Sequence, residues 1–588
     1  MAPVSSQAAS TCFLLLFFVS FLSISVHAES TNVIIDSKNW KDVYAGTLYA
    51  QWSGQEFYFV NGVPHANVLP GQIRYRLPVV LLESDNPFAV NYKNTLEQRG
   101  FSVKEVLEKP GDLTWSQALG QRVNATRFVV LDGAFGYNAV SVVSYALREN
   151  AWVLFAEDFT ADGLKNYLRT QKAAHVLQYG ALPEDKRLAL AGFNPETIDR
   201  GDRFSNNVAL LDRLLAKQPA AQLTLANGEF IERNLIDGPA RDPVLLVGTG
   251  NLPSVSAEFL RKNSIAYGVL IGSEQSDLAR WIKQHTPMKY IYVKFAQTFI
   301  QKGTAVTEPW ALTYFYLPRL ALNVTIQTIQ YNQKTNVLEV VYRNQESTRT
   351  YLQGRADVYI GNVSSQNVQD DGVTVLEAQA TQTASYPLRI DEKLFSTDVN
   401  LSVEVTGNYG EEPGALERRV TQRAENLAVV SFSDESALQL GPLVYDSSRQ
   451  GFDLEIINSG PVTAYFEPHL RFSVSNQTQS LTTKNTVIAA GTSQKVFFHS
   501  PFSKEQVSNL NGAVVSVLVN YGARESFLTK SIAEDRLFSL SAASNGSSSQ
   551  NSVDWTLVGI VGLVVGAGVL YFTRQKGSSG GFSARRRF

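Results

Sequence analysis

The chain has 588 residues, 18% of them charged, with a formal net charge of −2, one cysteine and two methionines. Its length predicts about three to five domains of roughly 100–200 residues each. The near-neutral, faintly acidic balance argues against nucleic acid or another polyanion as an electrostatically driven partner, and the lone Cys12 excludes a disulfide framework and a thiolate metal site.

In chain order, the apolar run Phe13 to Ile24 is too short for a comfortable membrane span. Val26-His27-Ala28 supplies the small residues that signal peptidase accepts, so residues 1–28 are expected to be a cleaved signal peptide that takes Cys12 with it. From residue 29 to 307, short apolar runs alternate with helical stretches. Pro78 to Glu83, Arg127 to Asp132, Trp152 to Ala156, His175 to Tyr179, Pro243 to Val247, Gly268 to Ile271 and Tyr290 to Val293 read as strands. Ala89 to Gln98 and Asn138 to Arg148 read as helices, the latter with Ala139, Val142, Val143 and Ala146 on one face. That alternation predicts parallel sheets with helical crossovers. A strand ending in Asp followed by a small residue recurs at Asp36-Ser37, Asp132-Gly133 and Asp237-Gly238, at spacings of 96 and 105 residues, which predicts three α/β modules over 29–125, 126–220 and 221–307.

Three stretches carry a resemblance to a known family: Val129 to Leu147, Gly201 to Leu215 (GDRFSNNVALLDRLL) and Leu252 to Gly272. They resemble the strand–helix unit, the glycine- and Arg-aromatic-containing signature region and the Leu-Pro closing unit of the type 2 cell-wall-binding repeat of prokaryotic surface proteins. In that family the modules anchor proteins to anionic wall polymers. The resemblance therefore implies a surface location and an α/β scaffold; here an acidic chain with its own membrane helix points to a reused scaffold and away from polymer binding.

From about Ala311 to Glu534 the pattern changes to alternation without helices, as in Val337 to Tyr342, Asp357 to Ile360, Asn400 to Val405, Phe452 to Ile457, His469 to Val474 and Val514 to Val519. Leu338-Glu339-Val340 answers to Leu454-Glu455-Ile456, and Asn408-Tyr409-Gly410 to Asn520-Tyr521-Gly522, at offsets of 116 and 112 residues. Two tandem immunoglobulin-like sandwiches over 308–427 and 428–538 are the natural reading. A β stalk in this position is similar to that of archaeal surface-layer and related envelope proteins.

A Ser/Asn/Gly linker (539–554) leads to Trp555–Phe572, 18 residues without a charge. As a helix this run covers about 27 Å, close to the roughly 30 Å hydrocarbon core of a bilayer. Beyond it the tail, 573–588, holds five cations: Arg574, Lys576, Arg585, Arg586 and Arg587. Residues 1–28 hold no charged side chain, so subtracting the tail from the net −2 leaves −7 on residues 29–572. The positive-inside rule then predicts a single-pass type I protein of the cell membrane, the ectodomain outside and lipid in contact with the C-terminal helix. Gly562 and Gly566 would permit close helix packing there.

No nucleophile elbow, phosphate loop, dinucleotide fingerprint or histidine pair at metal spacing occurs. No catalytic residue, metal ligand or cofactor is therefore expected, and a divalent cation such as calcium enters only as a screen between packed copies. Asp132 and Asp237 stand where ligands bind in open α/β sheets, although Asp after a strand more often caps a turn. Asp202 and Arg203 form a candidate glycan-contacting pair, or else a helix cap beside a local ion pair. Asp370-Asp371-Gly372 reads as a turn and lacks the alternating oxygens of a calcium loop. Glycosylation sequons stand at Asn124, Asn323, Asn362, Asn400, Asn476 and Asn545, weighted towards the β half and the linker. The resulting expectation is a structural surface-layer or surface-layer-like glycoprotein that self-associates through its α/β modules. The alternative is an adhesin that binds glycans or a partner cell through the same modules.

Overall fold

The computed structural model describes residues 30–540, apart from 74–75, 234, 236–241, 273–275, 295–313, 362, 392–400, 475–476, 484, 501–506 and 508–513. Residues 1–28, expected to be a signal peptide, and the apolar run Trp555–Phe572 lie outside the described residues. Among those residues no helix is long and apolar enough to cross a membrane.

The first half is built from three parallel sheets. The first contains β1 (Asn32–Asp36), α1 (Trp40–Trp52), β2 (Glu56–Val60), α2 (Val63–Gln72), β3 (Val79–Glu83), α3 (Tyr92–Gln98), β4 (Val103–Leu107) and α4 (Trp115–Arg122). The second contains β5 (Arg127–Leu131), α5 (Tyr137–Arg148), β6 (Trp152–Phe155), α6 (Ala161–Thr170), β7 (His175–Tyr179), α7 (Glu184–Ala191), β8 (Glu196–Ile198) and α8 (Arg203–Lys217). The third contains β9 (Gln222–Ala226), β10 (Phe230–Glu232), β11 (Val244–Leu246), α9 (Ser254–Asn263), β12 (Tyr267–Ile271), α10 (Ser276–His285) and β13 (Tyr290–Lys294). β10 leaves its sheet and pairs antiparallel with β14 (Tyr314–Tyr316).

The three sheets share one strand order, β2-β1-β3-β4, β6-β5-β7-β8 and β11-β9-β12-β13. Residues 79–82 of β3 and the whole of Trp152–Phe155 are apolar and buried because helices cover both faces of a parallel sheet. One hydrophobic core runs through all three sheets, from Val33 and Ile35 through Phe128 and Trp152 to Leu225, Leu245 and Ile282. A smaller core lies on the other side of the first sheet, around Leu69, Leu81, Tyr92 and Leu96. The helix read from Ala89 begins only at Tyr92, since Asn91 takes a left-handed conformation at φ 57°.

The second half is antiparallel apart from one parallel edge strand in each of two sheets, and it falls into two pairs of sheets. The first pair comprises β15 (Val324–Asn332), β16 (Val337–Asn344), β17 (Thr350–Ile360), β18 (Val363–Gln369), β19 (Thr374–Leu376), β20 (Thr381–Pro387), β21 (Leu401–Gly410), β22 (Arg418–Ala424) and β23 (Ala428–Val430). The second comprises β24 (Leu438–Asp446), β25 (Gly451–Asn458), β26 (Ala464–Val474), β27 (Gln477–Thr482), β28 (Thr486–Ile488), β29 (Ser493–His499), β30 (Val514–Gly522), β31 (Lys530–Leu537) and β32 (Ser539–Leu540). Their orders correspond strand for strand: β20-β16-β15-β23 with β29-β25-β24-β32, and β18-β17-β21-β22 with β27-β26-β30-β31. In each pair the two sheets close over a core of their own, one around Tyr331, Tyr342 and Val403 and the other around Phe452, Phe466 and Val517. Residues alternate inward and outward along these strands, as in β17.

Ion pairs and hydrogen bonds join the two sandwiches. Glu377, 1% exposed, pairs with Arg471, Glu339 with Arg524 at 2.7 Å, and the Thr381 amide donates to Glu467 at 2.9 Å.

Candidate functional site

Three of the four residues singled out in the sequence converge. Beyond the carboxyl ends of β5, β7 and β8 lies a crevice of about 130 Å³, lined among others by Asp132, Asn138, Gly180, Asp199, Asp202, Arg203, Glu411 and Glu412. The second sheet reverses its winding between β5 and β7, and such a switch point leaves a gap between loops that diverge.

Each wall follows from local chemistry. Asp132 ends β5 by accepting the Ala134 amide at 2.9 Å, while Asn138 donates to the Asp132 carbonyl at 3.1 Å. Gly180 can turn away after β7 because its φ of +76° lies in the left-handed region. Asp202 caps α8, accepting the amides of Phe204 at 2.8 Å and Ser205 at 2.9 Å.

Arg203 does not make the local ion pair that the sequence suggested. Its guanidinium lies 4.3 Å from the centre of the Tyr137 ring and donates to Glu411 and Glu417, which stand 208 and 214 residues away in the first sandwich. Arg203 is 8% exposed and Glu417 5%. Burial works against the Arg203 charge, but Glu417 and Glu411 outweigh it and hold the guanidinium above its ordinary range. Burial also pushes the Glu411 carboxyl up, even with Arg203 beside it. Thus the group offered as a ligand contact is spent on joining two parts of the same chain.

Asp237 lies outside the described residues. Strand register shows that the third copy of the turn is elsewhere. β9, the strand equivalent to β1 and β5, ends at Ala226, and Asn227 follows it. Ser37, Asp132 and Asn227 each accept the amide two residues on, at 3.0, 2.9 and 3.2 Å, and they are spaced by 95 residues both times. The spacings of 96 and 105 run through Asp36 and Asp237, whereas the position calls only for a short side-chain acceptor.

The same segment of the first sandwich also meets the third sheet. Asn251 donates to the Leu416 carbonyl at 2.5 Å, its amide reaches the Glu417 carbonyl at 3.2 Å, and Arg419 donates to Asn251 at 3.2 Å. Between the second and third sheets, buried Asn207 donates to Ser141 at 2.8 Å and to the Val244 carbonyl at 2.9 Å, and accepts from the Leu246 amide at 2.8 Å. Sequence reasoning did not single out Asn207, Glu411 or Glu417. Asn207 is visible only as an amide in a helix otherwise patterned for burial.

Asn124 and Asn323 are both exposed, as sugar attachment requires; Asn362, Asn400, Asn476 and Asn545 lie outside the described residues. Among the described residues no group of three or more His, Cys, Asp or Glu side chains is placed to hold a metal ion.

No family model matches the chain, and no curated relative matches it. Among solved structures, the YadV chaperone is 12% identical over 37% of this chain and 100% of its own, with a TM-score of 0.13. Red sea bream transglutaminase is 12% identical over 37% and 32% with a TM-score of 0.14, and Escherichia coli alpha-2-macroglobulin 9% identical over 39% and 23% with a TM-score of 0.14. Likenesses at that TM-score carry no argument about this chain.

Proposed function

We propose that the protein is a membrane-anchored structural glycoprotein of a cell surface, surface-layer or surface-layer-like. In this reading, three α/β modules of the cell-wall-binding-repeat type meet neighbouring copies, two immunoglobulin-like sandwiches hold them above the membrane, and the chain is not an enzyme. The observation that supports it most is the fate of Arg203. The charged convergence around Arg203 is a buried joint between the α/β half and the first sandwich. A structural subunit needs its parts held at fixed angles, and buried ion pairs contribute that kind of specificity in some proteins. The exposed sequons Asn124 and Asn323 fit a sugar-coated surface.

Protease added to intact cells tests the topology. It should release the chain up to the Ser541–Ser552 linker and leave the basic tail protected. Labelling of the tail from outside the cell would overturn the reading.

A further inference from the structure

The first sheet has a switch-point crevice in the same place as the second, with different contents. In the second sheet Arg203, Glu411 and Glu412 reduce the space to about 130 Å³. Beyond β1 and β3 the space is about 430 Å³ and adjoins a second cleft of about 560 Å³. Asp85, Lys109 and Trp115 form walls of both clefts. These volumes lie within the roughly 300–1,000 Å³ of ordinary ligand pockets.

The inner charges of this crevice are already paired. Lys41 lies 2.5 Å from Glu157 and 2.9 Å from Asp158, and Lys109 lies 2.8 Å from Asp85. Asp42 accepts from Ser37 at 2.8 Å, and Glu83 from the amides of Asn91 at 3.0 Å and Tyr92 at 3.2 Å. Asn39 and Asn86 add amide donors and acceptors, while Glu108 and Asp112 stand exposed at the rim. Trp115, 4% exposed, has an indole N–H with no hydrogen-bond partner, whereas the Trp152 indole donates to the Ser116 carbonyl at 2.8 Å. Trp115 lines both clefts, and a buried donor left unpaired is satisfied when a ligand brings an acceptor to it.

We propose that these joined clefts bind the end of an uncharged saccharide chain. Hydroxyl groups can donate to carboxylates and accept from amides, lysine and indole without separating the existing ion pairs. A phosphorylated or sulfated chain would meet a surplus of carboxylates, and a cationic peptide would have to break the lysine pairs. The site does not depend on lattice assembly, since a single copy contains all of it.

The test is calorimetric titration of the full-length protein in detergent with short neutral oligomers of glucose, mannose and N-acetylglucosamine. Binding of at least one is expected. Trp115→Phe, which keeps the ring and removes the donor, and Asp85→Asn, on a largely exposed side chain, should each weaken it about tenfold. Asp199→Asn in the second crevice should leave it unchanged. Three results would overturn the site: failure of every neutral oligomer to bind, undiminished binding by both cleft variants, or tighter binding of oligolysine or a phosphorylated oligosaccharide.

Discussion

Arg203 lies on the Tyr137 ring with its charge divided between Glu411 and Glu417. Arg203→Ala leaves buried Glu417 with only the more distant Arg418, 3.7 Å away, as counter-charge, and breaking a buried pair costs up to about 3–5 kcal/mol. Arg203→Lys keeps the charge but loses the planar fork and the stacking, so it should recover only part of the loss. Urea unfolding of the two variants measures this; losses of about 0.5 kcal/mol or less would mean that the joint bears no load. The capping role of Asp202 was legible in the sequence because its partners lie two and three residues on. The joint was not, because nothing local marks residues 208 and 214 positions away. Asp42 gives a second test at this scale. Burial pushes its carboxyl from 3.8 up to about 6. A raised carboxyl pKa contributes stability below the ordinary value and loses it as pH rises through about 6. Asp42→Asn should therefore flatten the decline in stability between about pH 4 and pH 7 and gain on the order of 2 kcal/mol relative to the parent above that range. An unchanged decline in the variant would show that Asp42 is ionised at no cost, and a steeper one that its ionised form stabilises the fold.

Among the elements, paired strands explain why some repeats could be read and others could not. The Asn-Tyr-Gly repeat ends β21 and β30. A Cβ on Gly410 would run into the Ala415 carbonyl oxygen, and one on Gly522 into the Phe527 carbonyl oxygen. Backbone cannot yield as a side chain can, so Gly410→Ala and Gly522→Ala should each cost about 1–3 kcal/mol in thermal or chemical unfolding. Alanine tolerated at both positions would remove this reason for the repeat. Asn344 and Asn458, at the ends of β16 and β25, form a further pair: each accepts the amide two residues on at 3.0 Å and donates to the carbonyl four residues on, at 2.8 and 2.9 Å. In these sandwiches geometry demands one residue type, so repetition survives as identity. At Ser37, Asp132 and Asn227 it demands only an acceptor, so the repeat is hidden behind three residue names.

At the scale of the whole molecule, the change from α/β to β texture near residue 311 was plain from side-chain period alone. Less legible was how far the sheets merge: one core threads all three, because α5 and α8 bury apolar faces that periodicity shows without naming their partners. Arg203 closes the joint to the first sandwich, and Glu377 and Glu339 close the next; in the proposed reading this fixes the surface offered to neighbouring copies. A lattice subunit needs repeated, weak, symmetric contacts between such units. The most direct measurement is the association state of residues 29–540 against concentration, by analytical ultracentrifugation and electron microscopy, with and without calcium. The account predicts sheets or discrete oligomers at high concentration, with residues 29–307 carrying most of the tendency. An ectodomain that stays monomeric under every salt, pH and calcium condition would contradict it.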